Sequence, residues 1–222
     1  MSNGADRTMM PDPAAYDAWY RTARGRWIGE TEYHLLYRHL ALRPDETILD
    51  AGCGTGYFSR RLVQDGHAVV GADLDHAAVT YARASRTPPL SAVVADMTVL
   101  PFADRSSDCV ISVTSLCFVE DEARAMKEIV RVARRRFALG LLNRNSLLYR
   151  EKGRRAGSYA GARWHSGRSV AALLRDLPVR DVRVATAIFL PGGGVLAQVL
   201  ECMAPASLPW GGFIAATGSV EQ

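Results

Sequence analysis

The run Asp50-Ala51-Gly52-Cys53-Gly54-Thr55-Gly56 holds the densest chemistry in this sequence. Alternating glycines let the backbone turn tightly and approach a ligand without Cβ atoms in the way. An apolar stretch, Thr47 to Asp50, leads into the turn, and a helical pattern leads out of it. A helix N-terminus with free N–H groups is therefore aimed at whatever binds, and it favours an anionic group. A dinucleotide site needs GxGxxG, whose third glycine falls three residues after the second. Tyr57 occupies that position, and the third glycine comes at Gly56. Asp50 ahead of the turn repels a pyrophosphate and attracts an ammonium group. The spacing thus points away from NAD.

Further candidates lie at other segment ends. Asp73 closes the apolar run Ala68 to Ala72, and Asp96 closes Ala92 to Ala95. Each acid alone reads as a strand-end cap. Aromatic residues crowd segment 14–33, with Tyr16, Trp19, Tyr20 and Trp27. Segment 143–165 holds Asn143, Arg144, Asn145, Tyr149, Arg150, Lys152, Arg154, Arg155, Tyr159, Arg163, Trp164 and His165. His165 is its only side chain that titrates in the range of a neutral-pH base. Cys53, Cys109, Cys117 and Cys202 form no CxxC pair, and no histidine stands at ligand spacing to them. They read as reduced thiols, and no metal site is expected.

These residues need elements to hold them. Residues 14–42 read as helical, with a break near Gly25 to Gly29. Strands follow at Thr47–Asp50, Ala68–Ala72, Ala92–Ala95, Asp108–Thr114, Phe137–Leu142, Val179–Phe189 and Phe213–Thr217. Helices are expected from near Gly56 to Gln64, His76 to Ser85, Glu120 to Arg135, and Ser166 to about Leu177. Val195, Leu196, Val199, Leu200 and Met203 lie on one helical face, so Val195 to Met203 reads as a short helix. Arg134 to Arg136 read as a basic helix end, favourable to the helix dipole. Alternating strands and helices mean a mostly parallel, doubly wound sheet. Its ligands bind outside the carboxyl ends of the strands, at the topological switch point.

ILDAGCGTGYFSRRL resembles the first motif of the class I S-adenosylmethionine (SAM) dependent methyltransferases. Val70-Gly71-Ala72-Asp73-Leu74 is similar to that family's second-strand motif, and Ala95-Asp96-Met97 to its third-strand motif. The stretches Leu100 to Asp104, Ser107 to Ile111 and Glu128 to Val132 also match, so residues 47–142 are covered in order. The nearest branch is the small-molecule enzymes of ubiquinone and menaquinone biosynthesis type. The resemblance implies a seven-stranded Rossmann-like sheet of order 3-2-1-4-5-7-6, strand seven antiparallel. It implies a helical cap over residues 1–45 and a SAM-binding domain over 46–222, with a substrate-side loop at 143–165.

The resemblance also implies roles. The turn at Gly52, Cys53, Gly54 and Gly56 takes the methionine carboxylate of SAM, and Asp50 takes its ammonium. Asp73 accepts the ribose hydroxyls, and Asp96 the adenine amine. Leu74 and Met97 flank the adenine, and the Met97 N–H reaches a ring nitrogen. Thr114, Tyr20 and Trp27 complete the cofactor site, with aromatic faces over the sulfonium. His165 and Tyr16 are the candidate catalytic residues. The family often has a Pro-Gly-Gly turn where this chain has Ala133-Arg134-Arg135-Arg136-Phe137.

Composition narrows the function. Of 222 residues, 48% are hydrophobic and 23% charged, an ordinary globular balance. No apolar run approaches the ~20 residues of a membrane span. Met1 to Pro13 lacks an apolar core, so no secretory leader and a cytoplasmic location are expected. Residues 131–183 carry 14 basic and 3 acidic side chains, whereas residues 1–130 carry 13 and 18. That basic stretch keeps open an RNA methyltransferase, with a phosphate footprint, beside the preferred small-molecule enzyme. A non-catalytic SAM-binding partner subunit is a further alternative. Thr114 to Val119 contains neither the Asn/Asp-Pro-Pro-Tyr/Phe motif nor a Pro-Cys nucleophile, which disfavours nucleic-acid bases as acceptors. Cys117 reads as packing, and the assembly as a monomer or homodimer.

Overall fold

The computed structural model describes residues 12–84, 88–153, 157 and 159–221. Ser85, Arg154 and Arg155 lie outside the described residues. Seven strands form one sheet of order β3-β2-β1-β4-β5-β7-β6. β1 (Thr47–Ala51), β2 (Ala68–Asp73), β3 (Ser91–Val94), β4 (Ser107–Val113) and β5 (Ala133–Leu142) are parallel neighbours. β7 (Phe213–Val220) pairs antiparallel with both β5 and β6 (Val179–Ala187). This is the Rossmann-like order that the resemblance implies. Ile48-Leu49, Cys109 to Ile111 and Phe137 to Leu142 are buried along their length, as strands covered on both faces must be.

Two helical layers do the covering. On one face, α5 (Glu122–Val132) and α7 (Gly167–Leu174) pack Met126, Ile129, Val130, Val170 and Leu174 against the strands. On the other lie α2 (Ala23–Leu40), α3 (Tyr57–Gln64) and α4 (His76–Ala84), through Leu35, Leu36, Phe58, Leu62 and Ala82. The strand order reverses between β1 and β4, which puts the ligand crevice at their carboxyl ends.

Several boundaries differ from the sequence expectation. The N-terminal helical stretch breaks at 20–22, between α1 (Pro13–Trp19) and α2, and not at Gly25 to Gly29. Thr22 caps α2 by accepting the Gly25 N–H at 3.0 Å. Gly25 and Gly29 are contact glycines: a Cβ would lie 2.0 Å from the Trp19 carbonyl at one and 2.6 Å from the Tyr57 hydroxyl at the other. α5 stops at Val132, so Arg134 to Arg136 are not a helix end but the start of β5. Arg134 and Arg135 pair with Asp108, and Arg136 with Glu46, at the amino end of the sheet. Their side chains are drawn off by acids far along the sequence, which no local pattern shows.

Segment 143–165 contains a short helix, α6 (Leu147–Lys152), capped by Ser146. α7 opens with a capping box between Ser166 and Ser169. α8 (Val195–Met203) is helical as its spacing predicts, with Val195, Leu196 and Met203 turned to solvent. No helix among the described residues is long and apolar enough to cross a membrane.

Candidate functional site

The glycine turn leaves the carboxyl end of β1 and enters α3 at Gly56. At Gly52, φ is +82° and a Cβ would sit 2.3 Å from Ser115, so only glycine lets the turn press on the end of β4. At Gly54, φ is +52° and a Cβ would meet nothing within 4 Å. That open space is the cradle in which a ligand can approach bare backbone. The donors of the turn are largely spent within the protein. Gly52 and Cys53 N–H both donate to the Ala72 carbonyl, Gly56 N–H to the Cys53 carbonyl, and Gly54 N–H to Asp73 at 2.7 Å. This corrects the expectation that these N–H groups stand ready for a carboxylate. The first-turn N–H groups of α3 have no partner within their own helix.

Asp50 is only 2% exposed and accepts the Ser59 hydroxyl at 2.5 Å. Burial, more than the nearby Asp73, pushes its carboxyl up to about 7. Burial also raises Asp73, while the N–H groups of Asp75 and Gly54 oppose that rise. Asp73 and Val94 are register partners in β2 and β3, so Asp96 follows two residues beyond the same edge. Asp96 is exposed and accepts both the N–H and the hydroxyl of Thr98 at 2.8 Å. Leu74 beside them is 50% exposed. Met97 corrects the expected adenine sandwich. It is 6% exposed, packs in the core and takes a 3.8 Å contact from the Ser112 hydroxyl, so its side chain points beneath Gly52.

Thr114 sits just past β4 with φ at +51°. A β-branched residue pays for that left-handed conformation, and such strain gathers at functional sites. Its N–H is held by the Gly140 carbonyl at 2.8 Å, and its carbonyl accepts from Cys117 at 3.4 Å. Cys117 is buried, and burial pushes its thiol up to about 12, which suits packing and not nucleophilic attack.

Aromatic residues at the end of α1 pack onto the start of α3. Tyr20 is buried and stacks on Tyr57 with ring centres 3.7 Å apart. The Tyr16 and Tyr20 hydroxyls are 3.4 Å apart. Burial raises the Tyr16 hydroxyl, opposed by its contact with Tyr20 and aided by the charges of Glu32, Cys117 and Asp73. Trp27 is half-buried and packs against the α2–α3 layer. Asp17 ties α1 down, accepting from Arg60 at 2.8 Å and from Tyr81 at 3.2 Å.

The segment expected as a substrate-side loop lies across the carboxyl edge of β5 and β4. Arg163 N–H donates to the Cys117 carbonyl at 2.8 Å, and Asn143 and His165 form a strand-like bridge. His165 is 3% exposed, with Nε2 3.0 Å from Glu122, and Arg163 holds the same carboxylate at 2.9 Å. Burial works to raise Glu122, yet these two partners hold it below its ordinary range. His165 lines a cavity of about 340 Å³ with Glu122, Arg144, Arg163 and Trp164. Its imidazole faces the Glu122 carboxylate. Tyr159, from the same segment, feels Glu32, Tyr16 and Cys117 instead.

Three contributors escaped the sequence reading. Ser115 donates to the Ala51 carbonyl at 3.1 Å and locks β4 to the turn. Tyr57 supplies the lower face of the stacked tyrosines. Glu32 is buried on α2. Ser115 and Tyr57 carry no local signal, but Glu32 does, as an acid between Ile28 and Leu35-Leu36 on an apolar helical face.

Comparison with known proteins agrees with this geometry. Residues 49–137 match a family model described as a methyltransferase domain. A probable S-adenosylmethionine-dependent methyltransferase of Mycobacterium tuberculosis is 31% identical over 130 residues, 58% of this chain and 43% of that protein. A demethylmenaquinone methyltransferase of Beutenbergia cavernae is 39% identical over 95 residues, 43% of this chain and 39% of that protein. The chain thus spans less than half the length of both relatives. A solved Thermotoga maritima structure, a SAM-dependent methyltransferase described as a possible histamine N-methyltransferase, aligns with a TM-score of 0.72 at 23% identity. That alignment covers 93% of this chain and 94% of that one, and it speaks to the fold. Residues 49–137 thus match a methyltransferase domain, and the sheet as a whole shares the fold of that solved methyltransferase.

Proposed function

We propose that the protein moves a methyl group from SAM to a small-molecule acceptor bound between the carboxyl edge of the sheet, α1–α2 and the segment carrying Tyr159. The open space above Gly54, beside Asp50 and Asp73, carries this reading. The residues present fit the cofactor. Asp50 is a buried acid suited to its ammonium, Asp73 a partly exposed acceptor suited to two ribose hydroxyls, and Asp96 an acceptor suited to the adenine amine. SAM supplies an already activated methyl group on a positively charged sulfur, which leaves as a neutral thioether. The protein is left to align the acceptor in line with that group, an effect worth roughly 7–11 kcal/mol.

Tyr16, Tyr20 and Trp27 serve to exclude water and to offer ring faces to positive charge. Of the cap expected over residues 1–45, residues 12–45 are described; residues 46–222 serve as the SAM-binding domain, with 143–165 on the substrate side. We assign His165 a positioning role. Through Glu122 it holds the start of α5 and Arg163, and Arg163 holds Cys117. A cytoplasmic monomer or homodimer remains the expected setting.

The small-molecule reading is favoured over RNA by the fate of the basic stretch. Arg131, Arg134, Arg135, Arg136 and Arg163, five of the 14 basic side chains there, are paired with acids, and Arg134 to Arg136 lie at the sheet end opposite the site. Calorimetry with SAM, S-adenosylhomocysteine (SAH) and NAD tests the cofactor, and NAD binding without SAH binding overturns it. Isotope-labelled SAM offered to a metabolite extract tests the acceptor. Label appearing in RNA and in no small molecule overturns that part.

A further inference from the structure

Among the described residues, the buried acids are Glu32, Glu46, Asp50, Asp108 and Glu122. Partners account for all but one. Arg136 holds Glu46, Ser59 holds Asp50, Thr47 and Arg134 hold Asp108, and His165 and Arg163 hold Glu122. Glu32 is 9% exposed and makes no hydrogen bond or ion pair among the described residues, and its oxygens are not among the fully enclosed polar atoms. An unpaired buried carboxylate costs several kcal/mol, so its place calls for a reason.

Its surroundings supply one. Gly29, one turn earlier on α2, lies against the Tyr57 hydroxyl. Tyr57 stacks on Tyr20, whose hydroxyl is 3.4 Å from that of Tyr16. The charge of Glu32 reaches Tyr16 and Tyr20 on α1, Tyr57 on α3 and Tyr159 on the substrate-side segment. Tyr16 in turn feels Asp73 and Cys117, at the end of the crevice where methyl transfer is proposed. Arg24, which bears on Tyr159, is exposed at the rim. The groups that feel Glu32 are thus tyrosines from three other segments. Tyrosine faces and a lone carboxylate together select a cation.

We propose that Glu32 binds the methyl acceptor, that the acceptor is an amine arriving as its ammonium ion, and that Glu32 takes the proton that frees the nitrogen lone pair. This rests on the methyltransferase reading of the site. The ammonium and the carboxylate become a neutral amine and a carboxylic acid. The nitrogen lone pair then forms the N–C bond to the methyl group as the C–S bond breaks, its electron pair staying on sulfur. The positive charge passes from sulfur to nitrogen, and Glu32 releases its proton to water. A carboxylate serving the sulfonium instead would stabilise the reactant more than the transition state, and so would slow the reaction.

Burial raises the Glu32 carboxyl to about 8, so near pH 7 it is mostly protonated until a cation enters. Ammonium binding then releases a proton, which calorimetry reads by comparing buffers of different ionisation enthalpy. The probes are benzylamine, butylamine and benzyl alcohol, each added to the protein with SAH bound. The expected result is that an amine binds with release of a proton and that benzyl alcohol causes none. In Glu32→Gln, amine affinity should fall by about tenfold or more and the proton release should vanish, while SAH affinity stays within about threefold. Failure of both amines to bind, unchanged amine affinity in Glu32→Gln, or binding without proton release overturns the proposal. So does a Glu32-dependent proton release on SAM binding that SAH lacks, since it would assign Glu32 to the sulfonium. If SAH itself does not bind, the cofactor reading falls first and this proposal with it.

Discussion

The Asp73 carboxylate accepts the Gly54 N–H at 2.7 Å, which ties the end of β2 to the middle of the glycine turn. The acid proposed for the ribose also sets the shape of the turn. Asp73→Ala should therefore weaken SAH by about 2–4 kcal/mol and cost the free protein about 1 kcal/mol. Calorimetry and denaturant unfolding measure the two effects. An Asp73→Ala protein that binds SAH like the parent excludes the ribose role.

Gly54 separates folding from binding. Its added Cβ meets nothing within 4 Å, so the fold bears only the strain of a left-handed φ. Gly54→Val should lose about 1–2 kcal/mol of stability and all measurable SAH binding. Circular dichroism should still show a folded protein. Normal SAH affinity in this variant would mean that the ligand does not approach the turn there.

Asp50 makes stability depend on pH. The unfolded chain gives up this proton near pH ~4, whereas the folded protein keeps it until about 7. The folded state binds the extra proton across that window, so stability should fall as pH rises through it. Asp50→Asn should flatten this slope and raise the stability of the free protein at pH 8 by on the order of 2 kcal/mol, while weakening SAM. Parallel melting curves at pH 5 and pH 8 decide this, and an unchanged slope in the variant removes Asp50 as its source.

His165 and Glu122 run in the opposite sense. Despite its burial, Glu122 is held below its ordinary range by its two partners, so its contribution is present above the unfolded carboxylate pKa and lost as pH falls below it. His165→Asn should cost about 1–3 kcal/mol of stability above that range. Its turnover should keep the pH profile of the parent, because the imidazole serves Glu122. A variant that melts normally yet loses an ionisation near pH ~6–7 from its rate profile would restore His165 as a base.

The arginines at the start of β5 offer a control. Arg134 and Arg135 are about half exposed in their pairs with Asp108, and such pairs contribute little. Replacing both by alanine should cost less than about 1 kcal/mol and leave turnover unchanged across salt concentrations. A salt-dependent loss of turnover would bring a phosphate-bearing acceptor back into view.

What the chain alone determined is local. The order Asp50-Ala51-Gly52-Cys53-Gly54-Thr55-Gly56 needs no distant partner to specify a tight turn with an acid before it, and Asp73 and Asp96 announce strand ends by type and place. The helical spacing of Val195 to Met203 specified that helix equally well. The tertiary structure decided what depends on distant pairing. Arg134 to Arg136 joined β5 because the backbone there pairs with β4 and β7, from Ala133 beside Ser107 to Arg136 beside Cys109 and Ser219, and their side chains then meet Asp108 and Glu46. Met97 turned into the core, and Gly25 and Gly29 became contact points because Trp19 and Tyr57 press on them. His165 was taken up by Glu122, while Glu32 was left buried without a partner beside tyrosines from three other segments. Local backbone chemistry can be read from neighbours in sequence. The cost of burying a charge is set by whichever groups the fold brings around it, and those lie far away along the chain.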